Sequence, residues 1–383
     1  MSQAALPAVS RAGGRPVNRP VLALDLGATQ VRAATVLPAG KLLTRHAIPT
    51  PGRAGPGAVV MACIETLQAA LAGAPSEIRA TLGGIGISSP GPVDPWTGTL
   101  VNPPNIGPGF SDIPLAAELE RLLGLPAYLD RDTNVAALGE RAFGAARGVD
   151  DFLYITVSTG VGGAIVAGGE LLHGPDGMAG ELGHVSIELD GPRCGCGGSG
   201  HLEAISSGVA LARDARAAVA EGSSPFLAAR AAAARAATAR TAEAAADPGG
   251  GGPDSEALAG LDARAVAEGE EAGDPACAAL MDHARRAFAM ACAGFVNAFN
   301  PDLIVVGGSI AEHQGERLLG PARDEIRRGA FRVPGARVRL VPAELGRDVS
   351  LAGCQPLVEA RLGDDRWRSG RGPLADAVPS IRP

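Results

Sequence analysis

One local pattern occurs twice in this sequence: an apolar run, a glycine turn with a hydroxyl side chain, and a second strand-like run. Residues 21–25 and 31–37 flank the first turn. Residues 152–157 and 164–167 flank the second, which spans residues 158–163. Two strands around a tight glycine turn predict a β-hairpin. The repeat therefore predicts a duplicated α/β architecture, two similar halves with a cleft between them.

The length and the remaining periodicity agree with two domains. A chain of 383 residues exceeds what one small core needs. Apolar residues at helical spacing, or strong helix formers, predict helices over residues 57–73, 135–143, 209–246, 276–299 and 350–362. Short apolar runs predict buried strands at 84–88 and 303–306, and a Pro/Gly run at 248–253 predicts a break.

Charge and composition exclude several classes of protein. The net charge is −7 and no Lys/Arg run is present, which argues against nucleic-acid binding. We find no apolar stretch of about 18 residues and no signal-peptide pattern, so we expect a cytoplasmic protein without membrane contact. The six cysteines do not form a disulfide framework, and only Cys194 and Cys196 are closely spaced.

Three glycine motifs are candidate nucleotide contacts. In the first turn, Gly27 exposes backbone N–H groups, Thr29 adds a donor, and Asp25 can hold Mg²⁺ through water. The second turn also combines a hydroxyl residue with glycine, as Thr159 and Gly160. Gly307-Gly308 follows an apolar run and offers flat backbone to an adenine or ribose. Each motif alone also fits an ordinary turn, whereas the first two together fit a clamp on a triphosphate.

Asp132 is the candidate catalytic base. It lies in Asp130-Arg131-Asp132-Thr133-Asn134, between an apolar run and a predicted helix. Asp132 or Thr133 could simply cap that helix. The functional interpretation starts from phosphoryl transfer, which needs positioning, Mg²⁺ and one carboxylate beside the attacking hydroxyl, and Asp132 is the candidate for that carboxylate.

A glycine-rich loop carries a candidate metal site. His184, Cys194, Cys196 and His201 lie close together in the sequence, and two thiolates with two imidazoles suit tetrahedral Zn²⁺. Four protein ligands would close the coordination shell and make the site structural. The alternative is two free cysteines with incidental histidines.

Taken in order, these motifs resemble the ROK family of sugar kinases, particularly its bacterial glucokinases, from about residue 20 to 360. The resemblance implies an actin-like, ribonuclease H-like ATPase fold. It also implies a hexose and MgATP as substrates, a structural Zn²⁺, and a homodimer or homotetramer. It assigns Asp132 as the catalytic aspartate and extends the sugar-binding set to Asn105, Asp132, Glu181, His184 and Glu203.

Two positions depart from the family pattern. Arg131 stands where the family has Asn, and His201 stands where it has the fourth zinc ligand, a Cys. Imidazole can replace thiolate at zinc, so we expect the metal to remain, provided that the ring reaches the site.

The expected domain organisation has five segments. Residues 1–18 and 363–383 are expected to be disordered tails, and residues 19–129 a smaller α/β domain. Residues 130–349 form a larger α/β domain with the zinc loop and an Ala-rich helical insert around 209–262. Residues 350–362 form a helix that packs back on the first domain.

The implied reaction is transfer of the γ-phosphate of MgATP to the 6-hydroxyl of a hexose, first of all glucose. N-acetylmannosamine, N-acetylglucosamine, mannose, fructose and allose stay open as acceptors, and polyphosphate as donor. A sugar-responsive repressor of the same family is disfavoured because 20 residues precede the first phosphate turn, fewer than a DNA-binding domain needs. A non-catalytic sugar-binding module is disfavoured by Asp132 and the two turns.

Overall fold

The computed structural model describes residues 18–244 and 260–368. They divide into two compact units, the first comprising residues up to Asp132 and from Leu351, the second Thr133–Ser350. The predicted tails and the Pro/Gly break at 248–253 lie outside the described residues, except for residue 18 and residues 363–368. Among the latter, Asp365–Arg368 form a short 3-10 helix.

The first unit is built on a five-stranded sheet. Its strands are β1 (Val21–Leu26), β2 (Gln30–Val36), β3 (His46–Pro49), β4 (Ile85–Ser89) and β7 (Ala127–Arg131), in the order β3-β2-β1-β4-β7. The β1–β2 and β2–β3 pairs are antiparallel, whereas β1–β4 and β4–β7 are parallel. Strands β5 (Val93–Asp94) and β6 (Thr99–Leu100) form a separate small sheet.

The second unit repeats this topology. Its strands are β8 (Phe152–Val157), β9 (Val161–Ala167), β10 (Glu170–Leu171), β11 (Leu303–Gly307) and β12 (Arg339–Pro342), in the order β10-β9-β8-β11-β12. The first three strands in sequence pair antiparallel, and β8–β11 and β11–β12 pair parallel. Both hairpins predicted from the glycine turns are present, and each supplies the central strand of its sheet.

Helices cover both sheets. Those of the first unit are α1 (Pro56–Ala72), α2 (Ser76–Arg79), α3 (Leu115–Leu123) and α13 (Val349–Arg361). Those of the second are α4 (Asp132–Phe143), α5 (Glu203–Ser206), α6 (Gly208–Ala220), α7 (Pro225–Ala244), α8 (Ala263–Glu271), α9 (Pro275–Phe299), α10 (Ser309–Gln314), α11 (Glu316–Gly329) and α12 (Arg332–Arg337). The remaining 3-10 helices are Gly52–Ala54, Leu182–His184 and Gly346–Asp348. No helix in the described ranges combines the length and apolar character of a membrane span.

Local sequence sets the ends of these helices. The Asp274 side chain accepts a hydrogen bond from the Cys277 amide at the start of α9, and Asn300 ends that helix in the left-handed conformation. The Ala/Arg-rich segment predicted as helical forms two helices, α6 and α7. A turn with Gly222 at φ 70° separates them, because a left-handed residue cannot continue a right-handed helix.

Helix α13 packs directly on the sheet of the first unit. A Cβ added at Gly86 of β4 would lie 2.6 Å from Cys354 of α13, so only glycine permits this approach. Cys354 is fully buried there, and its thiol lies 3.7 Å from the Leu24 carbonyl oxygen. The central strands and this helix therefore share one core.

A buried ion pair joins α13 to the end of β7. Arg361 and Asp130 are 2% and 0% exposed, and their side chains form a salt bridge. Arg361 also donates to the Leu129 carbonyl at 3.0 Å and stacks over Trp367 at 3.8 Å. Burial lowers the pKa of the Arg361 guanidinium, and the Asp130 carboxylate opposes that shift. This pair fixes the strand end that immediately precedes Asp132.

Replacing Arg361 by methionine should lower the free energy of unfolding by about 3–5 kcal/mol, because Asp130 would stay buried without this counter-charge. Urea denaturation monitored by circular dichroism measures this change. Arg327→Met is the matched control, because Arg327 pairs with Asp324 on the exposed surface of α11, where an ion pair contributes little. Equal urea midpoints for the two variants would contradict a stabilising role of the buried Arg361–Asp130 pair.

Candidate functional site

The first glycine turn connects β1 to β2 and is exposed, while Asp25 at its base is buried. The Asp25 carboxylate accepts two hydrogen bonds from Arg32, at 2.6 and 2.9 Å, and one from the Ser88 hydroxyl at 2.9 Å. The Gly27 carbonyl accepts a hydrogen bond from Thr50 at 2.7 Å. The turn is thus held in place, and the charge of Asp25 is balanced by Arg32.

The second glycine turn connects β8 to β9 and is held from two sides. The Ser158 and Thr159 carbonyls accept from the Gly208 and Val209 amides at the start of α6, at 2.8 and 3.1 Å. The Ser158 hydroxyl lies 2.9 Å from that of Ser309, the first residue of α10. Thr159 itself is exposed. The structure therefore presents the predicted hydroxyl and backbone groups on a braced turn.

Gly307 ends β11 beside this turn, and Gly308 follows it. Gly308 has φ 96°, and a Cβ there would lie 2.6 Å from the Thr156 hydroxyl oxygen. Close packing between neighbouring strands thus accounts for this glycine. The next two residues, Ser309 and Ile310, line the cavity described next.

A cavity of about 660 Å³ in the second unit adjoins Thr159. Its apolar lining residues are Val209, Leu211, Ala212, Ala263, Ala267, Met281 and Ile310, and its charged lining residues are Arg216, Asp262, Arg264, Glu268, and Glu271. Sequence reasoning missed this cavity, because its walls come from α6, α8, α9 and α10, far apart in the sequence. A mostly apolar concave surface that also carries polar groups is typical of small-molecule sites.

Asp132 is the first residue of α4 and directly follows β7, so it lies at the carboxyl end of a parallel strand. It is half-buried, whereas its neighbours Arg131 and Thr133 are buried. The helix that the sequence predicted over residues 135–143 thus begins earlier in the structure, at Asp132. Asn105 lies in an exposed loop of the first unit.

The four predicted metal ligands come together in the second unit. One ligand atom from each of His184, Cys194, Cys196 and His201 lies within 4.8 Å of all the others. Nδ1 of His184 is 3.6 Å from the Cys194 sulfur, and Nδ1 of His201 is 3.2 Å from the Cys196 sulfur. Burial raises the pKa of the Cys194 thiol to about 11, and a bound cation would favour its thiolate. This donor set and spacing fit a tetrahedral metal ion.

His201 reaches the cluster because Gly198 leaves room for it. A Cβ at Gly198 would collide with the imidazole ring, whereas a Cβ at Gly195 would meet nothing within 4 Å. The imidazole thus occupies space that a side chain at position 198 would fill. The departure from the family's cysteine is accommodated without loss of the four-residue cluster.

Three predicted sugar ligands surround the same loop. Nε2 of His184, the nitrogen turned away from Cys194, lies 3.8 Å from the Glu181 carboxylate. The Glu203 carboxylate accepts from the Val161 amide at 3.1 Å and lies 3.6 Å from the Cys194 sulfur. The second unit thus brings Glu181 and Glu203 together with the second glycine turn and with the four candidate metal ligands, which we call the metal cluster.

Glu140 braces helix α4, which begins with Asp132. Its buried carboxylate accepts hydrogen bonds from the backbone amides of Ala145 at 2.7 Å, Leu345 at 2.9 Å and Glu344 at 3.1 Å. One side chain therefore joins the end of α4 to the segment after β12. Sequence reasoning missed this contact, because two of the partners lie more than 200 residues away.

Comparisons with known proteins match this chain to one family and to sugar kinases. The family model described as "ROK family" matches residues 21–361. A glucokinase of Halalkalibacterium halodurans is 33% identical over 88% of this chain and 94% of its own length. An N-acetylmannosamine kinase of Escherichia fergusonii is 31% identical over 88% and 98%. A ROK glucokinase of Streptomyces griseus, solved with glucose and AMPPNP, is 31% identical, covers 88% and 98%, and has a TM-score of 0.66.

Replacing Glu140 by glutamine should lower the free energy of unfolding by about 1–3 kcal/mol, because an amide nitrogen cannot accept the amide hydrogens that surround it. Thermal and urea unfolding measure the change. Glu344→Gln makes the same chemical change at an exposed side chain that lies 3.4 Å from Arg147, and should change stability little. A Glu140→Gln variant as stable as wild type would refute the bracing role.

Proposed function

This chain belongs to the ROK family, and we propose that it is a hexose kinase that transfers the γ-phosphate of MgATP to the 6-hydroxyl of glucose. The family, the actin-like fold and the sugar-kinase class predicted from the sequence are confirmed by the similarity to curated kinases and to the ROK glucokinase structure. The observation that carries the proposal is the braced turn at Thr159, with predicted sugar ligands beside it.

In this proposal, the sugar hydroxyls are bound by Asn105, Asp132, Glu181, His184 and Glu203. The orientation of His184 supports its part, because one ring nitrogen turns toward the metal cluster and the other toward Glu181. A metal held by Nδ1 would fix the ring and leave Nε2 for a sugar oxygen. Zinc would supply this orientation, and the chain itself would perform the transfer.

Asp132 is proposed as the general base that accepts the proton of the attacking hydroxyl. Its position at a strand end, behind the buried Asp130–Arg361 pair, supports this role, because a catalytic carboxylate must be held rigidly. Phosphoryl transfer depends mainly on positioning and on neutralising charge, which Mg²⁺ would provide at the phosphates.

For the donor, we propose ATP. The phosphates would contact Gly27 and Thr29 of the first turn and Thr159 and Gly160 of the second, and Asp25 would hold the Mg²⁺ through water. Gly307 and Gly308 would lie near the nucleoside. The cavity next to Thr159 supports ATP over polyphosphate, because polyphosphate has no base or ribose to fill an apolar space. The AMPPNP in the Streptomyces griseus glucokinase agrees with a nucleotide donor in that relative.

An N-acetylhexosamine is the second candidate acceptor. The favouring observation is the 31% identity to an N-acetylmannosamine kinase, close to the 33% identity to a glucokinase. Measuring kcat/KM for glucose and for N-acetylmannosamine with MgATP distinguishes the two, because a pocket built for one excludes the other's substituent.

We also propose a homodimer or homotetramer and a cytoplasmic location, as the family resemblance implies. None of the six cysteines, all of which lie in the described ranges, forms a disulfide, which agrees with a reducing compartment. Size-exclusion chromatography with light scattering tests the oligomeric state.

Replacing Asp132 by asparagine should lower kcat with glucose and MgATP by about 10²–10⁴-fold, because the attacking hydroxyl loses its proton acceptor. A coupled assay for ADP measures the rate, and an unchanged melting temperature shows that the fold persists. Asp282→Asn, on the exposed surface of α9, is the control and should leave kcat unchanged. Wild-type turnover in Asp132→Asn would exclude the role of base.

Gly198→Ala should reduce the zinc content of the purified protein from about one ion per chain to well below one, since the added methyl displaces His201 from a four-ligand site. Gly195→Ala is the matched control, because Gly195 lies between Cys194 and Cys196 with open space around its Cβ, and this variant should keep the zinc. Elemental analysis by mass spectrometry gives both values. Zinc-free wild-type protein would overturn the metal proposal.

A further inference from the structure

The carboxylate of Glu203 forms a hydrogen bond to the second glycine turn. The Val161 amide donates to Oε2 at 3.1 Å. A Cβ at Gly160 would lie 2.5 Å from the same oxygen. Glycine at position 160 therefore leaves the space that the carboxylate occupies.

The two sides of this turn are held in different ways. On one side, the Ser158 and Thr159 carbonyls accept from the backbone at the start of α6. On the other side, the Val161 amide donates to the side chain of Glu203. Only the second of these contacts can be removed by a point mutation that leaves the backbone intact.

The metal cluster lies on the far side of this carboxylate. Oε1 of Glu203 is 3.6 Å from the Cys194 sulfur, and Glu203 begins α5 two residues after His201. The loop that carries the cluster therefore determines where the carboxylate lies. Glu203 thus contacts both the cluster and the turn.

We propose that Glu203 is a positioning residue for the nucleotide phosphates, in addition to its proposed contact with the sugar. The inference rests on the proposed kinase function. Its hydrogen bond to Val161 holds the turn of Ser158, Thr159 and Gly160 in the conformation that receives phosphate oxygens. A residue that served the sugar alone would not affect nucleotide binding in the absence of sugar.

The sign of the effect separates this role from plain electrostatics. Removing a carboxylate near bound phosphates removes like-charge repulsion, and by itself this would tighten nucleotide binding. Removing the acceptor that orders the turn would instead weaken nucleotide binding. Glutamine keeps an acceptor oxygen without the charge, whereas alanine loses both.

The test measures the affinity for MgAMPPNP without sugar, by isothermal titration calorimetry on the full chain. Glu203→Ala should bind about tenfold more weakly than wild type, as expected for loss of a hydrogen bond to a charged acceptor. Glu203→Gln should bind MgAMPPNP no more than about twofold more weakly than wild type, because its amide oxygen can still accept from the Val161 amide. Gly160→Ala, which pushes the carboxylate away from Val161, should reproduce the loss expected for Glu203→Ala.

Glu181→Ala is the matched control. It removes another proposed sugar ligand but leaves the hydrogen bond between Val161 and Glu203 in place, so sugar-free nucleotide affinity should stay at the wild-type value. Unchanged or tighter binding in Glu203→Ala overturns the inference, as does an equal loss in Glu181→Ala. If wild-type protein bound no MgAMPPNP, the kinase proposal itself would fail.

Discussion

Parallel pairing between the first and fourth strand of each sheet is the constraint on which the candidate sites depend. In the first unit, β1 pairs with β4 so that Asp25 lies opposite Ser88, and their side chains form a hydrogen bond. In the second unit, β8 pairs with β11 so that Thr156 lies opposite Gly307. Parallel strands end at the same edge of a sheet, where turns that follow separate strands meet. This pairing therefore places Ser88 beside Asp25 and Gly307 beside Thr156, next to the two glycine turns.

The hairpins were accessible to sequence reasoning because their information is local. An apolar run, a turn with glycine and a second run specify two adjacent strands without reference to the rest of the chain. The Cys/His loop was accessible for the same reason, since its four ligands lie within one short segment. The long helix α9 was also predictable, because its end is marked by Asn300-Pro301.

Features that depend on distant pairs were not predictable. Glu140 meets Glu344 and Leu345 more than 200 residues further along the chain, and Arg361 meets Asp130 from the opposite end of the sequence. The cavity beside Thr159 is lined by apolar residues of separate helices. Nothing in the local pattern of such a face distinguishes a cavity wall from ordinary core packing. For His201, the sequence identified the candidate ligand, but it did not show that Gly198 leaves space for the imidazole ring.

The metal loop and the second glycine turn form one connected structure in the second unit. His184 and Cys194 stand on one side of Glu203, and Val161 stands on the other. Small residues make this arrangement possible, because Gly160 and Gly198 each adjoin a functional side chain that a methyl group would displace. Loop geometry, rather than direct chemistry, is therefore the contribution that we assign to the metal cluster.

The central claim is that the chain phosphorylates a hexose at its 6-hydroxyl. Incubation of the wild-type protein with MgATP and glucose, followed by phosphorus and carbon NMR of the product, tests it most directly. The account predicts one hexose 6-phosphate for each ADP formed. Phosphate on another oxygen would contradict the proposed site of attack, and no sugar phosphate from glucose or any other hexose would contradict the kinase assignment itself.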